Sequence, residues 1–165
     1  MTTIKRKLYN LIRNYRWNWV KKTINKNSKS ILDIGCYDLF FSNNLKKMGY
    51  EVTSVDLEPR KKEIQKQSIE NLTYKDNSFD ITLCLEVLEH TKDPVKAISE
   101  LKRVAKNQLI ISVPYEPFFT LFRFLTWEKT HLWAITPKAL KANLGEPSFE
   151  KKLFFKRYYY AVWDL

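Results

Sequence analysis

Three short segments of the chain place acidic residues, a glycine or a histidine directly after an apolar run, where binding loops are expected. They are 33-DIGCYDLFFS-42, the Asp56 that ends EVTSVD, and 86-EVLEH-90. Gly35 allows a backbone to approach a ligand closely. A carboxylate after a strand can accept hydrogen bonds from ligand hydroxyl groups. These residue types are suited to binding a polar, nucleotide-like cofactor and to acid–base chemistry beside it.

The first of these loops is unusual, because Gly35 is its only glycine. Tyr37 and Leu39 stand where a glycine-rich loop would have two more. A leucine at the last position would crowd a bound cofactor or force the loop aside, and a non-glycine residue is strained at positive φ. Two hypotheses follow: the loop binds a cofactor along another path, or the chain is a catalytically silent module that binds a partner.

Alternating apolar and amphipathic segments must position these loops. The pattern predicts strands at 30–34, 51–56, 64–69, 80–85, 108–113, 149–156 and 158–164. It predicts helices at 4–25, 40–48, 94–105, 117–127 and 136–144. This alternation favours an α/β fold with a mostly parallel central sheet, an antiparallel edge hairpin at the C-terminal end, and helices on both faces. Ligands bind at the carboxyl ends of such strands, where Gly35, Asp56, Leu85 and Pro114 begin the loops.

The length and composition are those of a soluble globular protein. The 165 residues predict a single domain over residues 1–165, and 44% of them are hydrophobic and 28% charged. No apolar stretch approaches the roughly 20 residues of a membrane span, and the first residues do not have the pattern of a signal peptide. We therefore expect a cytoplasmic protein, located either free in solution or at the periphery of a membrane. Cys36 and Cys84 are expected to be reduced residues of its core.

Positive charge is concentrated at one end of the chain. Residues 1–30 hold nine of the 29 Lys and Arg residues and no Asp or Glu, so this segment carries most of the net charge of +11. We expect residues 1–28 to form a basic helix that caps the core. The charge of residues 1–30 predicts contact with an anionic surface, either RNA or a membrane, and a solvated helix is the alternative. Nothing in the sequence indicates an obligate protein partner.

Three segments together resemble the class I S-adenosylmethionine-dependent methyltransferases, in particular the type 11 and ubiquinone-pathway enzymes. They are 31-ILDIGCYDLFFSNNLKKMGYEVTSVDLEP-59, 77-NSFDITLCLEVLEHTKDPVKAISELKRVAKNQLIISVP-114 and 131-HLWAITPKAL-140. The middle segment is the most specific, because a strand beginning FD is followed by EVLEH, a DP pair and an amphipathic helix. The resemblance implies a Rossmann-like fold, S-adenosylmethionine as cofactor, and methyl transfer as the activity. Leu39 departs from the family's usual D-x-G-x-G-x-G pattern.

The resemblance also assigns cofactor contacts. It implies that Asp33 orients the amino group of the cofactor, that Asp56 accepts the ribose hydroxyls, and that Asn71 hydrogen-bonds adenine. The implied cofactor-binding residues are Asp33, Gly35, Cys36, Tyr37, Asp56, Leu57, Asn71, Leu72, Leu85 and Glu86.

The candidate catalytic residues are Glu86, His90 and His131. Glu86 and His90 would share a face if residues 86–90 were helical, and either histidine could act as general base on an acceptor hydroxyl. In some related O-methyltransferases a similar cluster of two Glu and His binds a divalent metal, and Glu89 would complete it here. EVLEH is also common in methyltransferases without a metal, so none is predicted.

The resemblance and an aromatic-rich segment at 117–127 together suggest the acceptor. This segment is interpreted either as an apolar lid or membrane contact, or as a helix packed on its own domain. We predict O-methylation of a small or lipid-like molecule. The alternatives are an RNA methyltransferase that binds RNA through residues 1–30, and the catalytically silent module.

Overall fold

The computed structural model describes residues 3–115, 132–153 and 157–165 of the chain. Its strands are β1 (Ser30–Ile34), β2 (Glu51–Asp56), β3 (Gln65–Lys66), β4 (Phe79–Leu85), β5 (Ala105–Pro114), β6 (Phe149–Leu153) and β7 (Tyr158–Asp164). Within the described residues they form one seven-stranded sheet in the order β3–β2–β1–β4–β5–β7–β6. The first five strands pair in parallel, and β7 runs antiparallel to both β5 and β6. The predicted α/β sheet with its antiparallel edge hairpin is confirmed.

Helices cover both faces of this sheet, as predicted. They are α1 (Thr3–Thr23), α2 (Phe40–Lys47), α3 (Pro94–Val104) and α4 (Pro137–Leu144), with a 3-10 turn at Leu88–His90. Val20 of α1 and Leu45 of α2 pack against β-strand residues such as Ile81. Leu101 of α3 and Leu140 of α4 pack against the residues that point to the other face. Alternation along each strand thus divides the apolar residues between two cores.

The predicted start signals of α3 and α4 correspond to formed caps. The Asp93 carboxylate accepts a hydrogen bond from Lys96 N at 3.0 Å, and Thr136 Oγ1 accepts one from Ala139 N at 3.1 Å. Each side chain satisfies a backbone N–H that has no partner within its helix, and a proline follows each cap at the first helical position.

Two predicted strands differ from those observed by more than one residue at an end, whereas β4 begins only one residue before the predicted start. β5 begins at Ala105, directly after α3, and not at residue 108, because Ala105 pairs with Phe79 across the sheet. The strand predicted at 64–69 contains only the two residues of β3; Ile64 and Ile69 are buried, but they lie outside any strand. The predicted helix at 117–127 and the end of the strand predicted at 149–156 lie outside the described residues.

Helix α1 is anchored on the sheet by its second half. Val20 and Ile24 are buried, and the Trp19 ring stacks on Phe149 with ring centroids 5.6 Å apart. In the first half, Leu8 and Leu11 are 43% and 57% exposed although they belong to the predicted apolar face. None of the described helices is both long and apolar enough to cross a bilayer.

Candidate functional site

The carboxyl ends of β1, β2, β4 and β5 bring most of the predicted site residues to one edge of the sheet. Gly35 N donates to Val55 O at 2.9 Å, which fixes the loop after β1 against the end of β2. Glu86 N donates to Ser112 O at 2.9 Å, which does the same for β4 and β5. The loop after β1, residues 35–39, is called the Gly35 loop below.

The close approach that Gly35 allows is to another residue of the chain, Val87, whose side chain packs against the glycine. Gly35 has φ +69°, and a Cβ built at this position would lie 2.3 Å from Val87 Cγ2. Both the backbone conformation and the space require glycine here. Val87 precedes the 3-10 turn, so packing at Gly35 couples the Gly35 loop to residues 86–90.

The two residues that replace glycines in the Gly35 loop adopt glycine-like backbone conformations. Tyr37 has φ 44° and Leu39 has φ 65°. Such a conformation costs a non-glycine residue about 1–2 kcal/mol. The Leu39 side chain is 4% exposed and clusters with Cys36 and Ile64. Burying a leucine side chain contributes about 1.5–3 kcal/mol, which offsets the strain at this residue.

Asp33, in β1 two residues before Gly35, is buried. Ser42 Oγ donates a hydrogen bond to Asp33 Oδ2 at 2.5 Å, and Ser54 Oγ donates to Ser42 Oγ at 2.8 Å. Burial raises the pKa of Asp33 to about 7, because the charged form is poorly solvated, while Ser42 opposes this shift and the nearby Asp38 and Asp56 add to it. Asp33 can therefore gain or lose a proton near neutral pH. Sequence reasoning missed the two serines, which arrive from α2 and β2.

Asp56 is oriented by two backbone N–H groups. Tyr37 N donates to Asp56 Oδ2 at 3.1 Å, and Glu58 N donates to Asp56 Oδ1 at 3.0 Å. Each carboxylate oxygen can accept a further hydrogen bond, so Asp56 is suited to a pair of adjacent hydroxyl groups. The neighbouring Leu57 is 62% exposed.

Residues 70–72 are divided between surface and core. Asn71 is exposed, whereas Leu72 is 5% exposed, and its backbone N–H donates to Glu100 Oε2 at 2.8 Å. Glu70 Oε1 accepts hydrogen bonds from the backbone N–H groups of Lys92 and Asp93. Glu70 therefore fastens this segment to the start of α3, and Asn71 remains exposed to solvent.

Residues 86–90 do not form the α-helix that would align Glu86 with His90. Glu86 has φ 59° and is followed by the 3-10 turn at Leu88–His90. Burial raises the pKa of Glu86. This pKa is lowered by the charge of Arg16, by a hydrogen bond that the Ser112 hydroxyl donates to Glu86 Oε1 at 2.8 Å, and by the charge of His90. Leu85, directly before Glu86, is 9% exposed in the core under α1 and α2. Ser112 was not predicted; it comes from β5, the neighbouring strand.

Glu89 and His90 face different environments. Glu89 is 1% exposed, whereas the His90 side chain is 39% exposed, and Glu89 Oε1 lies 4.0 Å from His90 Nε2. No group of three Asp, Glu, His or Cys side chains in the described part of the chain is arranged to hold a metal ion. The candidate catalytic residue His131 lies outside the described residues.

Similarity to known proteins covers this edge of the sheet and the centre of the chain. Residues 32–111 match a family model described as a methyltransferase domain. A ubiquinone biosynthesis O-methyltransferase from Coxiella burnetii is 32% identical over 116 residues, which is 62% of this chain and 50% of that protein. The chain spans about half the length of the curated relatives it matches.

Solved structures with the same fold include two methyltransferases. A SAM-dependent methyltransferase from Archaeoglobus fulgidus superposes with a TM-score of 0.71 at 18% identity, over 96% of this chain and 99% of that one. Magnesium protoporphyrin IX methyltransferase from Synechocystis, with bound SAH, gives a TM-score of 0.72 at 18% identity, over 99% and 89% of the two chains. At these identities the likeness shows the fold.

Proposed function

Since this chain carries a class I S-adenosylmethionine-dependent methyltransferase domain, we propose that it methylates an oxygen of a small or lipid-like acceptor. One observation carries the proposal: Asp33, the Gly35 loop and Asp56 converge at the carboxyl edge of β1 and β2. A buried carboxylate, the Gly35 loop and a carboxylate that can accept further hydrogen bonds therefore lie side by side. An oxygen acceptor is supported by the Coxiella burnetii relative, which is named an O-methyltransferase.

Each residue at this edge has a distinct part in the proposed reaction. Asp33 binds the cofactor's ammonium group, and Asp56 binds the two ribose hydroxyls. When bound, S-adenosylmethionine supplies a methyl group on a positively charged sulfur; the acceptor oxygen forms the new C–O bond as the C–S bond breaks. The acceptor proton passes to a base, for which Glu86 and His90 are the candidates, since both follow β4 at this edge. Orientation of the two reactants supplies most of the acceleration.

The proposal is tested first by calorimetry and thermal shift with S-adenosylmethionine and S-adenosylhomocysteine. We expect saturable binding of both ligands and a higher unfolding temperature in their presence. Absence of heat and of any thermal shift at millimolar ligand would show that the cofactor site is closed, as the silent-module hypothesis requires.

The acceptor is tested by transfer of a labelled methyl group. An apolar phenol or quinol is supplied in neutral detergent and in vesicles with and without anionic lipid, and RNA is supplied separately. We expect label on the apolar hydroxyl compound. The exposed Leu8 and Leu11, set among basic residues of α1, support an anionic membrane surface as the partner of residues 1–30, so transfer should be fastest with anionic vesicles. Label on RNA alone would overturn the lipid-like acceptor.

The pKa of Asp33 predicts how cofactor affinity depends on pH. A bound ammonium group favours the charged carboxylate, so binding must release the proton that Asp33 holds below a pH of about 7. Affinity should therefore rise with pH up to about 7, about tenfold per pH unit well below that value, and then level off. Calorimetry from pH 5.5 to 8.5, in buffers that differ in ionisation enthalpy, measures the released proton.

The matched control for this pH dependence is Asp33→Asn. This variant should bind more weakly and release no proton at Asp33, so its affinity should be flat between pH 5.5 and 7. If the wild-type protein shows the same flat affinity, Asp33 does not bind the ammonium group.

A further inference from the structure

Helix α1 reaches the Gly35 loop through the side chain of Arg13. Arg13 Nη1 donates a hydrogen bond to Asp38 Oδ2, and the guanidinium carbon lies 4.0 Å from the centre of the Phe40 ring. Arg13 Nη2 also donates to Asn10 Oδ1 at 2.9 Å, within α1. The Arg13 side chain is 18% exposed and the Asp38 side chain is 36% exposed, so the contact is partly shielded from water. The guanidinium group is thus held between α1 and the start of α2.

Asp38, the residue that Arg13 holds, lies at the strained part of the loop. Its neighbours Tyr37 and Leu39 both have positive φ. Leu39 is the N-cap of α2 but its side chain makes no capping hydrogen bond. Asp38 Oδ1 accepts a hydrogen bond from Phe40 N at 3.1 Å and so takes over this role. One carboxylate oxygen therefore holds the start of α2, and the other is held by Arg13.

Two further cations contact the same loop from the segment after β2. Arg60 Nη1 donates to Tyr37 OH at 2.8 Å, with its guanidinium carbon 4.2 Å from the ring centre. Lys61 Nζ donates to Asp38 O at 3.2 Å. These contacts hold the loop against the segment after β2, whereas Arg13 ties it to α1. A loop with a single glycine and backbone strain at two other residues is thus held by contacts from outside its own sequence.

From this geometry we propose that Arg13 is a positioning residue for the cofactor: it keeps the Gly35 loop in its binding conformation and couples the position of α1 to cofactor affinity. The inference rests on the proposed function, because it concerns the same cofactor site. Arg13 acts through Asp38, which fixes Phe40 N and the backbone on either side of Leu39. When the contact is absent, the strained loop populates other conformations, and the apparent affinity falls with the fraction that can bind.

The test compares cofactor binding by Arg13→Ala, Asp38→Asn, the double variant and Arg13→Lys. Arg13→Ala should raise the Kd for S-adenosylhomocysteine about tenfold, the loss expected when a cation–π contact and a partly shielded ion pair are removed together. Asp38→Asn, which keeps the contact of Arg13 with the Phe40 ring, should weaken binding in the same direction but less, and the double variant should be little worse than Arg13→Ala. Arg13→Lys keeps the charge but not the planar stacking group, and should fall between wild type and Arg13→Ala.

A steady-state measurement separates positioning from damage to the catalytic step. The KM for S-adenosylmethionine should rise in Arg13→Ala while kcat is unchanged, because the bound complex is the same once formed. Arg6→Ala, which removes an exposed arginine from the same helix, is the matched control, assayed without lipid, and should bind as wild type does.

The outcomes also separate this inference from the proposed function. If wild type fails to bind S-adenosylhomocysteine, the proposed function fails. If wild type binds S-adenosylhomocysteine, and both Arg13→Ala and Asp38→Asn bind it as tightly as wild type does, only the positioning role of Arg13 is overturned. If Arg13→Ala also lowers the unfolding temperature, its weaker binding has two explanations, which are a mispositioned loop and a loosened α1. Asp38→Asn leaves the sequence of α1 unchanged, so weaker binding by this variant supports the positioning role.

Discussion

Replacing Gly35 with alanine is expected to weaken cofactor binding strongly and to destabilise the fold. The new Cβ would lie 2.3 Å from Val87 Cγ2, and the residue would keep φ +69° unless the loop moved. Overpacking costs about 1–3 kcal/mol, and positive φ in a non-glycine residue costs about 1–2 kcal/mol. Because these costs can be relieved only by moving the Gly35 loop or residues 86–90, we expect the Kd for S-adenosylhomocysteine to rise at least about 100-fold. Calorimetry and urea unfolding measure the two effects.

Two variants separate the contributions of space and backbone at Gly35. Gly49 has φ +94° and nothing within 4 Å of the position of a Cβ, so Gly49→Ala carries the backbone strain without a clash and away from the site. It should lose stability but bind the cofactor normally. Adding Val87→Ala to Gly35→Ala removes the clash but not the strain, and should recover part of the affinity. Wild-type affinity in Gly35→Ala would contradict the structural role assigned to this glycine.

The sequence predicted the elements whose boundaries are set locally. The limits of β1, β2 and β7 were predicted to the residue, because each is a short segment with β-branched, aromatic or other apolar residues, next to turn residues in the sequence. The starts of α3 and α4 were predicted because Asp93 and Thr136 are caps followed by proline. The early start of β5 could not be predicted, since it depends on pairing with Phe79 across the sheet.

The candidate site shows the same division between local and tertiary information. Asp33, Gly35, Asp56 and Glu86 were expected at one edge because the carboxyl ends of parallel strands meet there, and the structure places them so. The side chains that contact these residues or the Gly35 loop, directly or through another side chain, were not predicted, because each comes from another segment of the chain than the residue it contacts. They are Arg13, Ser42, Ser54, Val87 and Ser112. Partners of this kind leave no periodic pattern in the sequence.

The structure gives a second reason for a leucine at position 39. The sequence suggested that its side chain would crowd the cofactor and that any positive φ would be strained, and Leu39 does have a positive φ. The buried side chain nevertheless lies in a cluster with Cys36 and Ile64, so it has a packing role that a glycine would not provide. The strain at Leu39 is balanced by burial, and this residue alone gives no reason to expect a silent module.

Replacing Asp56 with asparagine is expected to weaken cofactor binding about 100-fold, because two charge-assisted hydrogen bonds to the ribose hydroxyls, each contributing about 1.5 kcal/mol, are lost or weakened. Asparagine also has an NH2 group in place of one oxygen, while Tyr37 N and Glu58 N both need acceptors. One of these two backbone contacts must therefore break, which loosens the Gly35 loop at Tyr37.

The ribose contact itself is measured by comparing adenosine ligands with and without the 2′-hydroxyl group. Wild type should bind 5′-methylthioadenosine more tightly than its 2′-deoxy form, and this preference should be much smaller in Asp56→Asn, because the charged acceptor is replaced by a neutral amide. Glu58→Gln removes the same charge from an exposed side chain two residues away and should keep the wild-type preference. An Asp56→Asn protein that preferred the ribose form as strongly as wild type does would place the hydroxyl groups against another residue, and the edge formed by β1 and β2 would then bind a different part of the cofactor.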